Sequence, residues 1–150
     1  MRLALYQPDI PQNTGTLLRM AACLGLEVDL IEPAGFDISD RNFRRSGMDY
    51  LDHVTIQRHS CWEAFNDWRK LEQFRLVLVT VRGQTAYTQF HFEPHDILMM
   101  GRESFGFSEN VHMAADKSVV IPMQSKMRSL NVAVSAAMVI GEALRQNNLL

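Results

Sequence analysis

The chain has 150 residues, 47% of them apolar and 21% charged, with a formal net charge of -2. This suits one folded unit with a full core and excludes a uniformly basic nucleic-acid binder, so any RNA contact needs a local basic patch. The two cysteines, Cys23 and Cys61, have no metal spacing, and no apolar run reaches transmembrane length, so neither a metal nor a membrane is an expected partner.

Residues 3–6 form a short apolar run that reads as a buried strand, stopped by Gln7-Pro8-Asp9 and Pro11. Asn13 is the expected N-cap of a helix over 14–24, with Gly25 as its C-cap. Cys23 lies in the apolar stretch MAACLGL and reads as a buried, inert thiol. A second buried strand follows at 28–31, and strand, helix, strand with short links is the βαβ signature of a parallel sheet. A short helix is expected at 39–46, capped by Asp37 or Ser39, with Arg41, Arg44 and Arg45 sharing one face. A loop at 47–50 and a weak strand at 54–56 come next. Ser60 is the expected cap of a helix through Arg69, with Trp62, Phe65 and Trp68 on its buried side.

The strongest strand is 76–81, six uncharged residues ended by Arg82-Gly83. Residues 87–92 read as a short edge segment and 97–100 as another buried strand. A short helix over 108–115 has Ser108 as cap. A last strand at 119–121 stops at Pro122, and a final helix covers 129–146. About six strands, mostly parallel and separated by helices, make an α/β open sheet. Ligands in such sheets sit outside the carboxyl ends of the strands, which here are the loops after Tyr6, Val81, Met100 and Ile121.

Three stretches carry candidate chemistry. GRESFG at 101–106 lacks the third glycine of a dinucleotide loop and does not open the first helix of a βαβ unit. It reads either as a loop whose glycines admit a flat ligand or as a plain turn with an exposed Glu103. In the last helix Ala133, Ala136, Ala137 and Gly141 are spaced along one side, which allows close packing inside the fold or between two copies. Ser129 and Asn131 stand at that helix's start, where N–H groups and positive potential collect. Arg19 lies on the first helix, where a lone arginine is ordinarily solvated. The five histidines show no H-E-x-x-H spacing, and no Ser/His/Asp or Cys/His arrangement stands out.

Taken in order, PQNTGTLLRMA, IEPAGFD, RRSGMDYLDHV, LVLVTVRG, LMMGRESFG and VVIPMQSKMRSLNVAVSAAMVIGEALRQ resemble the SPOUT class of RNA methyltransferases, in its SpoU-like ribose 2′-O-methylating branch. The match spans nearly the whole chain. The short length and RRSGMDY make it most similar to the minimal tRNA (cytidine/uridine-34-2′-O)-methyltransferases, which act on the wobble nucleotide of leucine tRNAs. The resemblance implies a single domain over 1–150 without an added RNA-binding domain, whose sheet has helices on both faces. It also implies a deep trefoil knot over roughly 76–150, a homodimer in which both subunits contribute to each site, and a cytoplasmic enzyme. S-adenosylmethionine would be the methyl donor, leaving S-adenosylhomocysteine, with no metal.

Carried over residue by residue, the resemblance places Val79, Thr80, Gly83, Met100, Gly101, Glu103, Ile121, Met123, Ser129, Leu130 and Asn131 around the donor. It places Arg19, Asn13 and Ser129 at the reaction. The family proposal makes Arg19 the base. A guanidinium stays protonated with a pKa above about 12, so Arg19 reads better as a contact to the ribose hydroxyl or an RNA phosphate. Catalysis would rest on alignment of oxygen, carbon and sulfur. Arg41, Arg44, Arg45, Lys126 and Arg128 are candidate contacts to the anticodon stem-loop of tRNA, or else a solvated charged face. Tyr50 and Phe36 are candidates for base stacking. The alternatives are 2′-O-methylation of another tRNA or rRNA position, and a non-catalytic RNA-binding relative.

Overall fold

The structure, a computed structural model, describes residues 1–38 and 50–149. The helix expected at 39–46, with Arg41, Arg44 and Arg45, lies outside the described residues. In chain order the elements are β1 (Arg2–Tyr6), α1 (Pro11–Leu24), β2 (Glu27–Ile31), a 3-10 turn (Leu51–His53), β3 (Ile56–His59) and α2 (Trp62–Leu71). They continue with β4 (Arg75–Val79), β5 (Thr85–Ala86), β6 (Asp96–Met100), α3 (Glu109–Ala114), β7 (Lys117–Val120) and α4 (Val132–Gln146). The strands form one sheet in the order β3-β2-β1-β6-β4-β7-β5, and every pairing is parallel.

The sheet is covered on both faces, as the uninterrupted apolar strands require. Side chains of period two divide between them. Leu3, Leu5, Val77, Val79, Leu98 and Met100 join a cluster with Leu17, Leu18 and Ala21 of α1 and Ala136, Val139 and Ile140 of α4. Ala4, Tyr6, Leu76, Leu78, Ile97 and Met99 join Trp62 and Phe65 of α2 and Val111 of α3 on the opposite face. On the α2 side the buried Asp29 accepts from Arg2 Nε at 2.7 Å and pairs with His59 Nε2 at 2.9 Å, so its charge is compensated inside the fold.

Several boundaries differ from the sequence reading. α1 begins at Pro11 with Ile10 as N-cap, so Asn13 lies within the first turn and is not the cap. Proline at the first helical position explains the earlier start. Gly25 is the left-handed C-cap, with φ 66°. Cys23 is exposed, because it falls two residues past the buried Ala21, on the outer side of the helix. The third strand runs two or three residues later than 54–56. α2 is capped by the Cys61 sulfur, which accepts from Ala64 N at 3.4 Å, and not by Ser60. The strand read at 76–81 ends at Val79, and the edge pairing is Thr85–Ala86 on β7, not 87–92. Ser108 is the N-cap position of α3 but its side chain makes no capping bond. α4 starts at Val132, three residues after Ser129, because Asn131 Oδ1 accepts from Ala133 N at 2.8 Å and Val134 N at 3.4 Å. The small residues of α4 divide: Ala133 and Ala136 are buried, whereas Ala137 is exposed.

Candidate functional site

All strands point the same way, so their following loops gather at one edge of the sheet. There a cavity of about 560 Å³ opens between the loops after β1, β4, β6 and β7. Val79 and Thr80 enter it from the end of β4, and Met100, Gly101 and Glu103 from the end of β6. Ile121, Met123, Ser129, Leu130 and Asn131 enter it from the long link between β7 and α4, and Asn13 from α1. Arg128 lines it as well. The sequence thus named residues on four separate segments that the fold brings to one place.

Two glycines set how closely those loops approach. A Cβ on Gly101 would lie 3.1 Å from the Gly106 backbone and 3.2 Å from the Phe107 ring. Gly83 does not line the cavity. A Cβ there would fall 2.3 Å from the Val119 carbonyl carbon, so glycine lets the turn after β4 lie directly on β7. That turn is closed by Gly83 N donating to Thr80 O at 3.0 Å.

A chain of polar contacts ties the loops together. Glu103 accepts from the backbone N–H of Asp9 at 3.0 Å and from Asn13 Nδ2 at 3.2 Å. Asn13 Oδ1 in turn accepts from Asn131 Nδ2 at 3.0 Å. The orientation of both amides is fixed from the two ends. Asn131 must turn its oxygen to the N–H groups of α4, and Asn13 must turn its nitrogen to the carboxylate. Asp9 was not singled out by the sequence. Its Oδ2 accepts from Arg102 Nε at 3.0 Å and from the Ser104 hydroxyl. Burial first, and hydrogen bonding with Asp9 second, push the Glu103 carboxyl above its ordinary pKa. Interaction with the neighbouring Glu103 carboxyl first, then hydrogen bonds from Ser104 and Arg102, hold Asp9 well below the usual carboxylate range. The only sequence signal for Asp9 was its place in the stiff loop after the first strand.

The remaining candidates lie elsewhere. Arg19 is exposed on α1, absent from the cavity lining, with its guanidinium 4.7 Å from the centre of the Tyr50 ring. Lys126 is exposed in a turn closed by Met127 N donating to Gln124 O at 3.2 Å, and its φ is 77°. Phe36 borders a separate open hollow beside Pro33 and Arg58. Among the described residues no group of three or more His, Cys, Asp or Glu side chains could hold a metal ion. No helix among them is long and apolar enough to cross a membrane.

The chain is 62% identical over 144 residues to a tRNA (cytidine(34)-2'-O)-methyltransferase of Beijerinckia indica, an alignment covering 96% of this chain and 90% of that one. A solved structure described as giving insights into the 2-OH methylation of C/U34 on tRNA is 38% identical, with a TM-score of 0.87, over 98% of this chain and 90% of that one. The SpoU methyltransferase AviRb of Streptomyces viridochromogenes, in complex with the cofactor AdoMet, is 27% identical with a TM-score of 0.90, over 99% of this chain but 58% of that one. The profile of the SpoU rRNA Methylase family matches residues 1–141. With every lining residue of the cavity inside that span, the chain belongs to the SpoU rRNA Methylase family.

Proposed function

We propose that this chain is an S-adenosylmethionine-dependent methyltransferase that modifies the ribose 2′ oxygen of the wobble nucleotide, C34 or U34, of tRNA. Leucine tRNAs are the proposed substrates, read through the anticodon stem-loop, in the cytoplasm. The observation that carries the reading is the convergence of Asn13, Glu103, Ser129 and Asn131 with the apolar Val79, Met100, Ile121 and Leu130 around one cavity. The choice of nucleotide rests on the activity by which relatives as similar as 62% identical are known.

The residues present fit the donor. An adenosyl group is flat and apolar on its faces with a polar edge, and this cavity pairs apolar walls with loop backbone brought close by Gly101. The donor, when bound, supplies an electrophilic methyl. The protein's share is to hold the acceptor. Ser129 and Asn13 offer hydrogen-bonding groups at the mouth, and Arg128 offers a cation for a phosphate. A ribose hydroxyl is a weak nucleophile, so fixed orientation supplies much of the rate.

We place Arg19 at the reaction in a homodimer, where it would serve the cavity of the partner subunit. Its exposure on α1 and its absence from its own cavity support this, as do the outward Val134, Ala137 and Met138 of neighbouring α4. The proposal includes the deep knot over about 76–150 that the family resemblance implies, within one unit spanning 1–150. The continuous parallel sheet supports the single unit.

The test is methyl transfer from labelled S-adenosylmethionine to tRNA from cells that lack this protein, followed by nucleoside analysis. Label in 2′-O-methylcytidine or 2′-O-methyluridine of the anticodon loop is expected. Label confined to another tRNA position, or transfer seen only when rRNA is supplied in place of tRNA, would overturn the choice of substrate.

A further inference from the structure

The segment 101–106 is a hairpin, closed by two backbone hydrogen bonds, that holds an aromatic ring in solvent beside the cavity. Arg102 N donates to Gly106 O at 3.1 Å and Gly106 N donates back to Arg102 O at 2.7 Å, closing it as a small antiparallel bridge. Gly106 makes the return with φ 66°. Asp9 fastens the hairpin from the side, through Arg102 Nε at 3.0 Å and the Ser104 hydroxyl. Phe105 lies at the tip. It lines the cavity, yet 83% of its surface is exposed, and the guanidinium carbon of Arg102 lies 5.7 Å from its ring centre.

A hydrogen-bonded loop that leaves its phenyl ring in water offers that ring for burial against something else. The surroundings choose the class of partner. Arg128, and Arg102 with the guanidinium edge not paired to Asp9, stand beside the exposed Ile10, Val81 and Leu130 around the opening. Cations interleaved with one aromatic face fit single-stranded RNA, whose bases stack and whose phosphates need positive charge. The centre of an interface between two protein copies is instead depleted of charge.

We propose that Phe105, backed by Arg102, is a stacking platform for an unpaired nucleobase of the substrate RNA, at or next to the nucleotide whose ribose enters the cavity. This rests on the methyltransferase reading above and adds a residue that selects for a splayed-out, single-stranded target. Base–aromatic stacking is sequence-tolerant, so Phe105 contributes binding and position without choosing between C and U.

The experiment compares Phe105→Ala, Phe105→Leu and Phe105→Trp with the wild type in the full chain. It measures equilibrium binding of an unmethylated anticodon stem-loop, methyl transfer to it, affinity for S-adenosylhomocysteine, and size in solution. Phe105→Ala and Phe105→Leu should each weaken RNA binding about tenfold, in line with the loss of one stacked base. Phe105→Trp should bind as the wild type does. Product affinity and size should not change in any of them. Phe105→Leu binding RNA like the wild type would overturn the proposal, because an apolar contact would then suffice. So would Phe105→Ala within twofold of wild type, or an Ala variant that changes size or loses the product. Wild-type protein that binds the RNA but transfers no methyl would instead overturn the methyltransferase reading, and the binding series would still decide the role of Phe105.

Discussion

Asp9 holds three consecutive residues of the 101–106 hairpin at once. Its carboxylate accepts from Arg102 and Ser104, and its backbone N–H donates to the Glu103 carboxyl between them. Behind it there is no space, since a Cβ on Gly35 would fall 2.8 Å from the Asp9 Cβ. Asp9→Asn should therefore loosen the hairpin and weaken S-adenosylhomocysteine binding several-fold, read by calorimetry. The pH dependence has a definite sign. A carboxyl whose pKa is depressed on folding stabilises the protein above its unfolded value, about 3.9, and loses that contribution as pH falls through the folded value. The part of the melting-temperature gap between wild type and Asp9→Asn that comes from Arg102 and Ser104 should thus be full near neutrality and shrink below about pH 4. Arg19→Lys keeps the charge but loses the planar fork. It should be nearly inactive in methyl transfer with an unchanged fold by circular dichroism; turnover at the wild-type rate would remove Arg19 from the reaction.

Asn131 does two jobs at the scale of the element. Its oxygen caps α4 and its nitrogen holds Asn13. Asn131→Ala should lose both, lowering stability by about 1 kcal/mol as helix caps do and weakening the donor site. Asn131→Asp keeps a capping oxygen but offers Asn13 no donor. It should melt close to wild type yet bind S-adenosylhomocysteine less tightly, which separates the cap from the network. The turn after β4 gives a third case. Gly83→Ala would press a methyl into the β7 backbone at Val119, and overpacking of this kind costs about 1–3 kcal/mol. Its expected signature is a lower melting temperature, with the edge strand β5 exchanging its amide hydrogens faster.

Across the whole molecule, the proposed dimer makes the active site a property of two chains. Placing a charge on the outward face of α4, as Met138→Asp, should yield monomers by sedimentation and abolish transfer, while each subunit keeps its sheet. Mixing Arg19→Lys subunits with subunits defective at Asn131 should restore activity in part, because one mixed site would then hold both intact groups. Independent sites would show no rescue.

The sequence by itself determined the class of fold. The uncharged runs 76–79 and 97–100 are buried on both faces, and a parallel sheet follows from strand, helix and strand in short succession. The family resemblance named most of the cavity lining, while the glycine, asparagine and serine at strand ends were local signals in their own right. Tertiary structure alone decided the boundaries and the partnerships. Pro11 opens α1 ahead of Asn13, and Asn131 takes the cap of α4 ahead of Ser129. The link between Asn13 and Asn131 spans 118 positions of sequence, and that between Asp9 and Arg102 spans 93. No local pattern encodes such contacts, because they exist only once β1, β6 and β7 lie in one parallel sheet and their loops meet at one edge of it.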